Sequence, residues 1–254
     1  MLADTRTVSG PVLFARYAFP PNRHGYCGPD DAEEFFRHGV SENEHLLREQ
    51  AAQFDGAWPF LELIARTAGL TDPLHPQAVE AYWLGSPLLE GASTSSATPP
   101  GTRMTQPSVG AHAGPLYPSV AAGLAAGGLP HHSLAVFGLY PWAALLGDER
   151  RGGQALKVLD RCRIRAGRVL SIDGDRVEVE SRPLLFDGRL HQGPIRSEPA
   201  VWSIEGNGLA PRPAVDDLVA LHWEWVCDVI SADQENQLTH YNALHLDLVN
   251  EALR

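Results

Sequence analysis

With 254 residues, 44% of them hydrophobic and 20% charged, the chain is long enough for a substantial core and has the composition of an ordinary folded protein. Twenty basic side chains stand against 31 acidic ones, a formal charge of −11 divided about evenly along the chain, which excludes a broad nucleic-acid surface because phosphate binding needs a basic footprint. No apolar run reaches the ~20 residues of a bilayer crossing, since the nearest, 133–147, contains Pro141. No export signal is visible either, so a cytoplasmic protein without membrane insertion is expected. Three cysteines, an odd number, argue against a disulfide framework and leave thiol or ligand chemistry open.

Residues 1–90 read as short helices. Pro29, Asp30, Asp31, Glu33 and Glu34 put acid in a first turn that Gly39 stops, and Ser41 with Glu44 reads as a capping box for a helix burying Leu46, Leu47, Ala51 and Phe54. A third helix is expected over about 58–68, and Pro76 opens a fourth that runs through Trp83. The stretch 91–110 is rich in Ser, Thr, Pro and Gly and reads as a mobile loop, followed by a short helix over about 148–159.

From Asp160 the apolar period becomes two. Arg161, Arg163 and Arg165 alternate with Cys162, Ile164 and Ala166, which predicts a strand with three cations on one face and Cys162 on the apolar one. Asp173-Gly174-Asp175 marks a hairpin turn into alternating Val177 and Val179. Further strands are expected near 182–186, 200–204 and 218–230, and Ser231 with Gln234 caps a last helix that docks through Leu238, Tyr241 and Leu244. On the 218–230 strand Cys227 shares parity with Val219 and Leu221 and so faces inward, while His222 has the opposite parity and faces a pocket or solvent. The expected class is α+β, a mostly helical region over 1–159 and a small β-barrel with a C-terminal helix over 160–254.

The common catalytic strings are absent: no P-loop, no G-x-S-x-G, no H-E-x-x-H and no C-x-x-C. Chemistry must come from less regular groupings. In His24-Gly25-Tyr26-Cys27-Gly28-Pro29 a cysteine flanked by glycines stands just before a helix, where the positive end of the dipole favours thiolate; a buried cysteine in a tight turn is the plain alternative. His131 and His132 follow, with His112 upstream. Adjacent histidines point to opposite faces, so one of the pair enters a given site, and a packed histidine beside Tyr140 and Trp142 is the alternative.

The third grouping is the most specific. The run from Cys162 to Val169 has the form C-x4-G-x-V, and the end of the same stretch carries an acidic turn, Asp216-Asp217, then Val219-Ala220-Leu221-His222. Together these resemble the HypC/HupF-type hydrogenase maturation chaperones, small OB-like barrels that open with C-x-x-I-P-G-x-V and close with V-x-V-H. The resemblance implies an OB-like barrel, and it places on Cys162 and His222 the holding of an iron fragment bearing cyanide and carbonyl. It also implies partners, the hydrogenase large subunit or other maturation proteins. This chain departs from the pattern in having an internal cysteine, Ala166 in place of the proline and Glu224 in place of a glycine after the histidine. The whole chain, through GYCGP, AYWLG, LPHHS and LYPWA, also resembles an uncharacterised actinobacterial family, which implies no activity.

Three readings are therefore open. The first is an accessory protein for a metalloenzyme, a carrier of iron and not an enzyme, with Cys162 and His222 as ligands. The second is a stand-alone enzyme with a pocket between helices and barrel, using Cys27 as nucleophile and His24 or His132 as base. The third is a scaffold that docks through the Trp-rich strand 221–226. They separate on whether the Cys162 sulfur and a His222 nitrogen lie within about 4 Å, as ligands of one ion do.

Overall fold

The computed structural model describes residues 8–94 and 126–254. The chain begins with a helix that the sequence conceals. Helix α1 (Gly10–Arg23) carries Pro11 in its first turn, where a helix tolerates it, and Pro20 and Pro21 inside its last turn, where each removes one amide from the hydrogen-bond ladder. Its buried residues, Phe14, Tyr17, Ala18 and Phe19 among them, make it the axis of the helical half. Around it pack α2 (Ala32–Val40), α3 (Glu44–Ala51) and α5 (Pro76–Trp83), with α4 (Trp58–Thr67) against α5. The cap of α3 is Asn43, whose side chain accepts from the Leu46 amide, whereas Ser41 closes α2, so the capping box expected at Ser41 is not formed. Positions 88–94 form α6 (Leu88–Thr94); the rest of the 91–110 segment, and His112, lie outside the described residues.

The chain then forms α7 (His132–Leu134), a single turn running into a π-helical stretch, Ala135–Leu139. It continues to α8 (Gly152–Cys162). The strand expected from Arg161 starts only at Arg165, and Cys162 is the last residue of a helix. Alternating arginines here do not make a solvated strand face: Arg163 and Arg165 are buried, and Arg161, Arg163 and Arg165 reach Glu198 and Asp160.

Strands β1 (Arg165–Asp173), β2 (Arg176–Ser181), β5 (Arg196–Val201), β6 (Leu218–His222) and β7 (Trp225–Val229) close a five-stranded barrel in the order β1-β2-β5-β7-β6. The β5–β7 contact is parallel and the others antiparallel, the Greek-key order of an OB-like barrel. A small hairpin, β3 (Leu184–Phe186) with β4 (Leu190–Gln192), is inserted between β2 and β5. Val169, Val177, Val179, Val219, Leu221 and Val226 fill the barrel. Helix α9 (Ala232–Ala252) starts with the expected capping box, in which Ser231 and Gln234 bond each other's backbone.

One apolar cluster joins the helical half to the outer face of the barrel, with Phe14, Tyr17 and Trp83 in contact with the group that holds Ala220, Trp225 and Cys227. Cys227 therefore faces the helices and not the barrel interior. A two-residue turn, Trp223-Glu224, pairs His222 with Trp225 and reverses the odd–even alternation. Cys227 is then the extra residue of a bulge, because Leu221 pairs with Val226 and Ala220 with Asp228. Arg16 on α1 locks this contact with two bonds of 2.9 Å to the Asp228 carboxylate and one of 3.0 Å to the Leu209 carbonyl.

Candidate metal centre

The seam between α1, α5, α7, the end of α8 and β6 brings together His132, Cys162 and His222. One ligand atom from each lies within 4.8 Å of the other two. Donors around a single tetrahedral ion stand about 3.3 to 3.6 Å apart for bonds of about 2.0 to 2.3 Å, so closure on a metal needs movements of an ångström or so. Cys162 and His222 thus stand within 4.8 Å of each other, and His132 joins them from a segment 30 residues before Cys162.

Both imidazoles are oriented by carbonyls. His222 Nδ1–H donates to the Tyr17 carbonyl at 2.7 Å, and its Nε2, fully buried, has no hydrogen-bond partner. A carbonyl only accepts, so Nδ1 holds the proton and Nε2 is a bare lone pair. His132 Nε2–H likewise donates to the Cys162 carbonyl at 2.9 Å, leaving Nδ1 as acceptor for the Tyr82 hydroxyl at 3.2 Å. An outer-shell carbonyl that fixes tautomer and ring angle is the usual support for a metal-bound histidine. Trp83 walls the group, its ring 4.6 Å from that of His132 and 5.8 Å from that of His222.

The site is electrically neutral at rest. Burial, with the His132 charge opposing, holds His222 well below the usual histidine range, and burial brings His132 down to about 4. Burial also pushes the Cys162 thiol up to about 12. A neutral thiol and two neutral imidazoles suit a dry pocket, and a dication that displaces the thiol proton gains all three ligands at once.

A cavity of about 40 Å³ opens beside the group, with room for about three waters. Cys162 and His132 line it together with Cys27, Tyr26, Tyr82, Trp83, Tyr140 and Trp142. Cys27 and His132 thus line one cavity at the helix–barrel seam. His24 does not line the cavity: it lies over Trp223, with ring centroids 4.8 Å apart, and pairs with Glu224 at 3.4 Å. The expected activation of Cys27 by a helix dipole is not found. Helix α2 starts at Ala32, capped by Asp31, and burial together with the Cys162 sulfur pushes the Cys27 thiol up.

His131 faces the other way, as adjacent residues must. Its Nδ1 and His245 Nδ1 each lie 2.6 Å from Ser133 Oγ. The Leu129 amide donates to His245 Nε2, so His245 Nδ1–H donates to Ser133, which in turn donates to His131. This buried relay clamps α7 to α9 and holds His132 in place from behind.

The chain belongs to DUF6390, a family of unknown function, matched over residues 6–254. No curated protein and no solved structure matches it. Among the described residues, no helix is long and apolar enough to cross a membrane.

Proposed function

We propose that this protein binds a transition-metal ion through His132, Cys162 and His222 and serves as an accessory protein that holds iron for a metalloenzyme. The observation that carries the reading is the convergence of three ligand atoms within 4.8 Å, one of them a buried imidazole nitrogen with no other partner. One thiolate and two imidazoles form a soft to borderline set suited to iron, cobalt or zinc and poor for calcium or magnesium. The motif resemblance at Cys162 and His222 favours iron as cargo and the large subunit of nickel–iron hydrogenase, or another maturation protein, as partner.

The enzyme reading draws on the same cavity, which Cys27 and His132 both line. It is the weaker one, because burial disfavours the Cys27 thiolate and the cavity lining holds no cation to offset it, whereas a bound dication supplies that charge and takes His132 Nδ1 in place of the Tyr82 hydroxyl. The test is anaerobic isolation from a hydrogenase-producing host, with metal analysis, infrared spectroscopy for cyanide and carbonyl stretches and a pull-down of the large subunit. Iron with bands or with that partner supports the proposal; protein that takes up no transition metal even on reconstitution overturns it.

A further inference from the structure

Three donors leave a tetrahedral metal one ligand short. The cavity beside the group contains no Asp, Glu, Lys or Arg in its lining, and Phe54, Trp83 and Trp142 make it largely apolar. A divalent ion with one thiolate would leave a net positive charge against that apolar lining, whereas two thiolates would leave none, which is the cheaper arrangement to bury. The second thiol facing this cavity is Cys27, which stands outside the three donors that converge within 4.8 Å and so must move toward them to bind.

The loop that carries Cys27 is held over the cavity by specific contacts. Asn22 Nδ2 donates to the carbonyls of Cys27 at 2.8 Å and of Pro29 at 2.7 Å, and the Tyr26 ring stacks on Trp223 with centroids 4.6 Å apart. Gly28 has φ +86°, and a Cβ there would stand 2.3 Å from the Phe54 ring, so only glycine lets the loop sit this low over the cavity. Helix α1, whose Tyr17 carbonyl orients His222, ends in this loop. The same helix therefore sets one ligand and delivers Cys27.

Resting on the metal-binding reading above, we propose that Cys27 is the fourth donor, completing a set of two thiolates and two imidazoles around one divalent transition-metal ion. On binding, each cysteine S–H bond breaks, its proton passes to buffer and a sulfur–metal bond forms. No electron changes hands. The loop at 24–28 then closes the site around its metal.

Cobalt(II) is the probe, added anaerobically to the reduced full-length protein and followed by its sulfur-to-cobalt charge-transfer band in the near ultraviolet. One equivalent is expected to give a band that falls to about half in Cys27→Ser and in Cys162→Ser, and is lost in the double variant. Circular dichroism and thermal midpoint, with Cys27→Ala as a second variant, verify that the fold survives. A Cys27→Ser protein that keeps the full band overturns the fourth-donor assignment and leaves the three-donor site standing. Wild-type protein that binds no cobalt overturns both.

Discussion

His132 Nε2–H donates to the backbone carbonyl of Cys162, 2.9 Å away, so the imidazole that faces the Cys162 sulfur is held by that residue's own peptide group. The C-terminal end of α8 thus supplies both a ligand and the support of a second ligand. Replacing His132 with Ala removes a donor and frees that carbonyl. Metal affinity should fall by more than the ~10 to 100-fold that loss of an outer-shell partner costs. Competition against a chelator measures it, and an unchanged affinity would remove His132 from the site.

Metal affinity should rise with pH because the Cys162 thiol, pushed up to about 12, must lose its proton, while His132, down to about 4, is already neutral above pH 6. One displaced proton gives a tenfold gain in apparent affinity per pH unit over about pH 6 to 9; a second, from Cys27, makes it about a hundredfold. Calorimetry in buffers of different ionisation enthalpy counts these protons. A pH-independent affinity would contradict thiolate ligation.

The Ser133 relay touches no metal ligand except through the backbone, yet it fixes the turn that carries His132. Ser133→Ala leaves His245 Nδ1–H without its buried acceptor, while His131 Nδ1 keeps the Ser133 amide, and should cost about 1 to 3 kcal/mol in stability. It should also weaken metal binding. Chemical denaturation with and without metal separates the two effects, and a variant as stable as wild type would show the relay to be idle.

Glu198 lies beneath the barrel seam between Arg161 and Arg165, with Ser181 also donating to it. Burial alone would raise its carboxyl, but the Arg165 bonds and charge, Ser181 and Arg161 bring it to about 2. A carboxyl depressed on folding contributes stability that is present above its unfolded value near 4.3 and is lost as pH falls toward 2. Here that amounts to something on the order of 3 kcal/mol. Glu198→Gln should be less stable than wild type at pH 7, and the gap should shrink between about pH 4.5 and 2. A gap that stays constant over that range would show the arginines to be satisfied without it.

Much of this architecture is written locally. Ser231 with Gln234 announces the last helix, Gly174 the hairpin, and the valines of β1 and β2 the barrel wall, because each signal acts over a few residues. Cys162 and His222 stand out in the sequence only through a motif resemblance, and the strand expected to carry Cys162 is the end of a helix. What stays hidden depends on distant contacts. Helix α1 is masked by its prolines, of which only Pro11 stands where helices favour one. His132 has no ligand spacing to mark it, since its partners lie 30 and 90 residues away and meet it only when α7 packs into the seam. The burial of Arg163 and Arg165 follows from Asp160 and Glu198, and alternation alone cannot distinguish it from a solvated face.

X-ray absorption at the zinc edge, on reduced protein loaded with one equivalent, is the most direct test of the centre. Sulfur scattering at about 2.3 Å together with imidazole nitrogen at about 2.0 to 2.1 Å is predicted, with the sulfur shell reduced in Cys162→Ala and the imidazole shell reduced in His222→Ala. A shell of oxygens alone, or a sulfur shell untouched by loss of Cys162, would contradict the assignment.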